Sequence, residues 1–128
     1  MTADRDLDFI GVEVTSQRPR VRAALEYIAD HYCEAFEIRD LLAVCGYSER
    51  GLQDALSRDV GMTATALIMR LRLEEGRRIL LRTPSSFPVL EVAKAVGMPH
   101  AGRFSVRYRA LFGETPTQTR SRSRSGME

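Results

Sequence analysis

The chain contains no apolar run approaching the roughly 20 residues that a membrane-spanning helix needs. The acidic, polar start MTADRDLDF lacks the basic-then-apolar layout of a secretory signal, so a cytoplasmic location without membrane contact is expected. Cysteine and histidine are nearly absent, each present twice, as Cys33 and Cys45 and as His31 and His100. The two cysteines cannot supply a four-ligand structural zinc site of their own, and in a cytosolic chain they read as reduced core residues on helices rather than as a disulfide. No serine-histidine-acid set, phosphate loop or metal cluster stands at workable positions. Neither an enzyme nor a cofactor is therefore expected.

Lysine is missing too: of 19 basic residues, Lys94 is the only one that is not arginine. Guanidinium groups suit bidentate recognition of phosphate or guanine, although a GC-rich genome produces the same bias. The alternation of a β-strand is also absent. What remains is helical, and the pattern predicts an all-α chain of about seven helices.

At 128 residues, with 44% hydrophobic and 28% charged, the composition fits one globular domain or two very small ones sharing a connecting element. The net charge of +2 hides an uneven distribution. Residues 1 to 59 hold 7 arginines and 12 acids, whereas residues 60 to 128 hold 12 basic groups and 5 acids, giving −5 and +7.

Residues 1–18 show no sustained period and read as a linker or N-terminal arm. Val21, Ala24, Leu25, Ile28 and Tyr32 then fall on one face of a first helix. Ile38, Leu41, Leu42 and Cys45 make a short second helix closed by Gly46, and Ser48 caps a third that buries Leu52, Ala55 and Leu56 and runs out at Val60-Gly61. Thr63 caps a long fourth helix to Arg82, carrying Leu67, Leu71, Leu73, Ile79 and Leu80 inward. Gly76 inside it reflects either a close helix contact or tolerance. After the loop 83–88, Pro88 suits the start of a fifth helix with Val89, Val92, Ala93 and Val96 inward, ended by Gly97. Pro99 suits the start of a sixth that buries Phe104, Tyr108 and Leu111 or Phe112. Thr115-Pro-Thr-Gln118 is a capping box opening a seventh, and residues 123–128 are expected to form a disordered tail.

Sliding the chain by 51 residues superimposes Ile38, Leu41, Leu42, Cys45 and Gly46 on Val89, Val92, Ala93, Val96 and Gly97. After one inserted residue, Leu52, Leu56, Gly61 and Thr63 fall on Phe104, Tyr108, Gly113 and Thr115. Each copy is a helix-turn-helix unit, spanning 19–62 and 84–122, with 63–83 as the joining helix. In DNA binders the second helix of such a unit enters the major groove. Two units could reach successive groove faces about 34 Å apart, which points to a long, non-palindromic duplex site.

The second unit and its exit read Gly97-Met98, Phe104, Tyr108, Phe112-Gly113-Glu114-Thr115-Pro116 and Thr119-Arg120, and the first reads Gly46 to Leu81. Across about residues 20–122 this closely resembles the DNA-binding domain of the AraC/XylS family of bacterial transcription regulators. Met98 stands for the usual Phe, Gly102-Arg103 for a common Ser-aromatic pair, and Thr119 for Tyr. The wording His-x-Gly-Arg-Phe is similar to a branch that includes ethanolamine-operon activators. The resemblance implies a homeodomain-like two-unit fold and a regulator, an activator by the family's usual mode, with double-stranded DNA and RNA polymerase as partners. Most members carry an effector or dimerisation domain ahead of this module; the chain has no room for one, so it is expected to be a fragment or a stand-alone activator.

Exposed residues in the first turns of each recognition helix are the base-contact candidates. In the first unit these are Glu49, Arg50, Gln53 and Asp54; the positions of Arg50, Gln53 and Asp54 resemble base-contact positions in the family. Gln53 suits adenine, Arg50 guanine, and Asp54 or Glu49 only cytosine; an intraprotein pair of Asp54 with Arg50 or Arg58 is an equal reading. In the second unit they are Ala101, Gly102, Arg103, Ser105 and Val106, with Arg103 the best guanine partner and a phosphate contact its alternative. Ser48, Arg58, His100, Arg107 and Arg109 are phosphate candidates, although His100 reads more readily as an ordinary helix-start residue. From another class, an acidic first half and a basic second half also suit a helical protein-interaction module without DNA binding.

Overall fold

A computed structural model of the chain describes residues 2–15 and 17–127, with side chains described at 6–15 and 17–123. Among the described residues there are eight helices and no strand: α1 Thr2–Phe9, α2 Pro19–His31, α3 Ile38–Cys45, α4 Glu49–Asp59, α5 Ala64–Arg82, α6 Val89–Ala95, α7 Ala101–Phe112 and α8 Pro116–Met127. The chain divides into two compact units, with the boundary between Leu71 and Arg72, inside α5.

In the first unit α2, α3 and α4 form the three-helix core. The expected face of α2 is buried as predicted, with Val21, Ala24, Leu25 and Ile28 fully so, and Leu41, Leu52, Leu56, Leu67 and Leu71 close the core from α3, α4 and α5. Ile38 departs from its predicted inward place and is exposed at the start of α3. Of the cysteines, Cys45 is buried on α3, whereas Cys33 is half-buried in the turn after α2, and the two are not joined in a disulfide.

The arm is the larger correction. Residues 2–9 are helical, and Leu7, Val12 and Val14 are buried in the core of the first unit. Tyr32 Oη donates to Asp6 Oδ2 at 3.0 Å, tying the arm to the end of α2. The arm escapes a periodicity reading because its three anchors lie on a short helix followed by an irregular stretch, and no single repeat of 3.6 or 2 links them. Met1 and Ser16 lie outside the described residues.

In the second unit the end of α5 packs on α6 and α7. Gly76 is where they meet: a Cβ built there would lie 2.8 Å from Cε1 and Cζ of Phe104. Of the two readings of this glycine, the close contact is the right one. Phe104 and Tyr108 are fully buried with Val92, Ala93 and Val96, and Met98, at the place where the family usually has Phe, is buried as well. The Arg77 guanidinium lies 5.3 Å from the Phe112 ring centre, covering that half-buried aromatic.

The caps follow the sequence closely. Ser48 Oγ accepts from Gly51 N at 3.0 Å, and Thr63 Oγ1 accepts from Ala66 N at 3.0 Å. Thr115 N donates to Gln118 Oε1 at 2.8 Å while Gln118 N donates back to Thr115 Oγ1 at 3.2 Å, the reciprocal capping box. The four glycines paired by the internal repeat, Gly46, Gly61, Gly97 and Gly113, all have φ between 75° and 84°. That left-handed conformation is one that glycine adopts without a Cβ penalty, so the repeat is a repeat of backbone geometry and not only of apolar spacing. Pro99 differs slightly from expectation: α7 opens at Ala101 with His100 at its N-cap. Beyond the box, α8 stays helical through Met127, across most of the stretch expected as a disordered tail. Arginine is a good helix former and nothing before Gly126 breaks the run.

Candidate nucleic-acid interface

The predicted base readers gather on two helix faces. On α4, Glu49, Arg50, Gln53 and Asp54 line one open depression, and all four are exposed. On α7, Gly102, Arg103, Val106, Arg107 and Ala110 line another. Each cluster recurs at i, i+3, i+4 and so occupies a single solvent-facing stripe opposite the core stripe, which is Leu52, Ala55 and Leu56 on α4 and Phe104 and Tyr108 on α7. Ala110 was not among the expected residues. Its spacing of four from Val106 and eight from Gly102 is the signal that would have found it.

Other candidates sit elsewhere. Ala101 and Ser105 are half-buried on the flank of α7 nearer the core, while His100 is exposed at the N-cap and makes no side-chain cap. The Ser48 hydroxyl is committed to capping α4. Arg58 is committed as well: its Nε donates to Asp59 Oδ1 at 3.0 Å. That hydrogen bond and the attraction behind it hold the Asp59 carboxyl below its ordinary range and push Arg58 further up. Arg18 stands 3.8 Å from the other carboxylate oxygen of Asp59. Asp54 is thus left outside the ion pairs that Arg58 makes.

The two faces differ in charge. α4 exposes Glu49 and Asp54 beside Arg50 and Arg58, so acids and bases balance on it, whereas α7 exposes Arg103, Arg107 and Arg109 and no acid. Those three guanidiniums make no ion pair or hydrogen bond with the described residues. A helix that carries three unpaired cations of one sign is poised for an anionic partner, because the charges gain nothing inside the fold.

A chain of hydrogen bonds ties α7 to α8. Tyr108 Oη donates to Thr119 Oγ1 at 2.7 Å, and that hydroxyl donates onward to Glu114 Oε2, whose other oxygen faces Arg122 at 3.1 Å. Burial pushes the Tyr108 hydroxyl above its ordinary pKa, the Thr119 bond opposing the shift only in part. Thr119 therefore fills a structural role in this chain. Arg120 holds α8 against the loop after α5, donating to Phe87 O and to Thr83 Oγ1, each at 2.9 Å.

Among the described residues no group of three or more His, Cys, Asp or Glu side chains could hold a metal ion, and no helix is long and apolar enough to cross a membrane.

Comparison with known proteins matches this geometry. The "Helix-turn-helix domain" family matches residues 41–122. A probable thc operon regulatory protein of Rhodococcus erythropolis is 31% identical over 99 residues, covering 77% of this chain and 30% of that protein. The xylose operon regulatory protein of Escherichia coli is 28% identical over 102 residues, covering 80% of this chain and 26% of that one. The chain thus spans about a third or less of the length of these relatives. A solved structure of a probable AraC family transcriptional regulator from Rhodopseudomonas palustris superimposes with a TM-score of 0.74 at 32% identity, covering 83% of this chain and 98% of that one. With the family match running from α3 to α8 and this likeness over nearly the whole of a solved relative, the chain belongs to the AraC/XylS family of helix-turn-helix transcription regulators, as its DNA-binding domain.

Proposed function

We propose that the domain binds a specific, non-palindromic duplex by placing α4 and α7 in successive major grooves, and that it activates transcription there with RNA polymerase as its partner. The observation that carries this reading is the pair of exposed faces, Glu49, Arg50, Gln53 and Asp54 on α4 and Gly102, Arg103, Val106 and Arg107 on α7, each on the second helix of a helix-turn-helix pair. The names of relatives support it, among them a xylose operon regulatory protein and a transcriptional activator RhaS. In this reading Arg103 takes a guanine edge, Gln53 an adenine and Arg50 a guanine, with Asp54 and Glu49 restricted to cytosine amino groups. Arg107, Arg109 and His100 contact phosphate and set register rather than sequence. Arg58 and Ser48, already engaged within the fold, are weaker phosphate candidates. The likeness of His100–Phe104 to ethanolamine-operon activators rests on a few residues and assigns no operator. An effector or dimerisation domain belongs to the part of such regulators that this chain does not span.

Selection of bound sequences from a random duplex library tests the reading. Recovery of a single asymmetric motif supports it, and Arg103→Ala then costs about 1 to 3 kcal/mol on that motif while relaxing one base pair. An equal loss on every duplex would reassign Arg103 to phosphate. Failure to enrich any duplex would favour the protein-interaction module instead.

A further inference from the structure

Val106 is 71% exposed, more than any other large apolar side chain among the described residues. It stands at the middle of the outward face of α7, one turn from Arg103 and Arg109 and beside Arg107, none of which pairs with the described residues. Valine is not a strong helix former, and at this position it buries little, so neither local propensity nor core packing accounts for it. Gly102 and Ala110, four residues to either side, add no bulk, and no atom lies within 4 Å of where a Cβ on Gly102 would stand.

The partner that fits must be apolar at one point and anionic around it. A protein surface would have to meet three guanidiniums with carboxylates ringed about a single apolar spot. The major groove of DNA offers the combination by default, since phosphates flank a floor on which thymine alone presents a methyl group. We propose that Val106 reads a thymine through its C5-methyl, one helical turn from the guanine taken by Arg103. This rests on α7 being the helix that enters the major groove.

Deoxyuridine isolates the contact, because it removes the C5-methyl and leaves the pairing edge intact. With the whole chain on the duplex recovered from a random library, each thymidine is replaced in turn and the affinity measured for the wild-type chain and for Val106→Ala. Loss of one buried methyl predicts a single position where the wild-type binds uracil about three- to fivefold more weakly, and where Val106→Ala no longer distinguishes the two bases. Because Val106 is exposed, the variant keeps its fold, which its thermal midpoint verifies. Indifference of the wild-type to every replacement overturns the proposal, as does a uracil penalty that persists undiminished in Val106→Ala. Both of those outcomes leave sequence-specific binding standing. If no duplex is recovered at all, the DNA reading falls and this inference with it.

Discussion

At the scale of single residues, two buried contacts hold α7 in place. Gly76 has no room for a methyl group, since the Phe104 ring occupies the space and is itself fully buried. Gly76→Ala would raise helix propensity, worth up to about 1 kcal/mol, but overpacking of this kind costs about 1 to 3 kcal/mol, so the net effect is expected to be destabilising. A denaturant midpoint above that of wild-type would show that α7 can retreat without cost. Tyr108 makes a pH-dependent contribution. Its hydroxyl is held above the ordinary value of 10.0 in the fold, so the folded chain keeps a proton that the unfolded chain releases. The stabilisation is complete below the unfolded value and declines as pH rises through the folded one. Thermal midpoints are thus expected to fall above about pH 10, and Tyr108→Phe to shallow that decline. An identical alkaline limb in the variant would move the effect to another group.

At the scale of elements, the helices that bury one continuous stripe were legible in the sequence, and those held by scattered anchors were not. α2 and α4 follow their predicted faces almost residue for residue, because a 3.6-residue period and burial are the same fact seen from two sides. The arm is different. Leu7, Val12 and Val14 find their neighbours only once α2 exists to pack against, so a linear pattern contains no trace of them. Leu7→Ala should lower the stability of the first unit by about 2 to 4 kcal/mol, a core-residue cost. A change below about 0.5 kcal/mol in urea melts would mark the arm as a surface appendage. The candidate site divides in the same way. Glu49, Arg50, Gln53 and Asp54 and most of the α7 face could be placed from helix register alone, whereas the engagement of Arg58 with Asp59 depends on side-chain conformers and the approach of Arg18 to Asp59 on how distant segments pack.

At the scale of the whole molecule, the charge bias of −5 for residues 1–59 and +7 for residues 60–128 sets an expectation for binding. Affinity for duplex DNA should fall linearly with the logarithm of salt concentration, and Arg107→Ala or Arg109→Ala should each reduce the slope by about 1 if the side chain meets phosphate. A salt-insensitive complex would contradict the electrostatic reading of α7. Glu49 and Asp54 on α4 have the opposite bearing: beside phosphates their carboxylates would oppose binding, so in the proposed complex the first unit is expected to contribute discrimination more than affinity.

The sequence by itself determined the helical class, the duplicated helix-turn-helix plan, the glycine stops, the capping box at Thr115 and the family, because each rests on the order and spacing of residue types along the chain. Only the tertiary structure decided that Gly76 is a contact, that the arm belongs to the first core, that Thr119 completes a buried chain of hydrogen bonds, and that Arg58 is engaged while Arg103, Arg107 and Arg109 pair with none of the described residues. Those outcomes turn on distances between atoms remote in sequence or on the choice among side-chain conformers, and neither is contained in spacing along a chain.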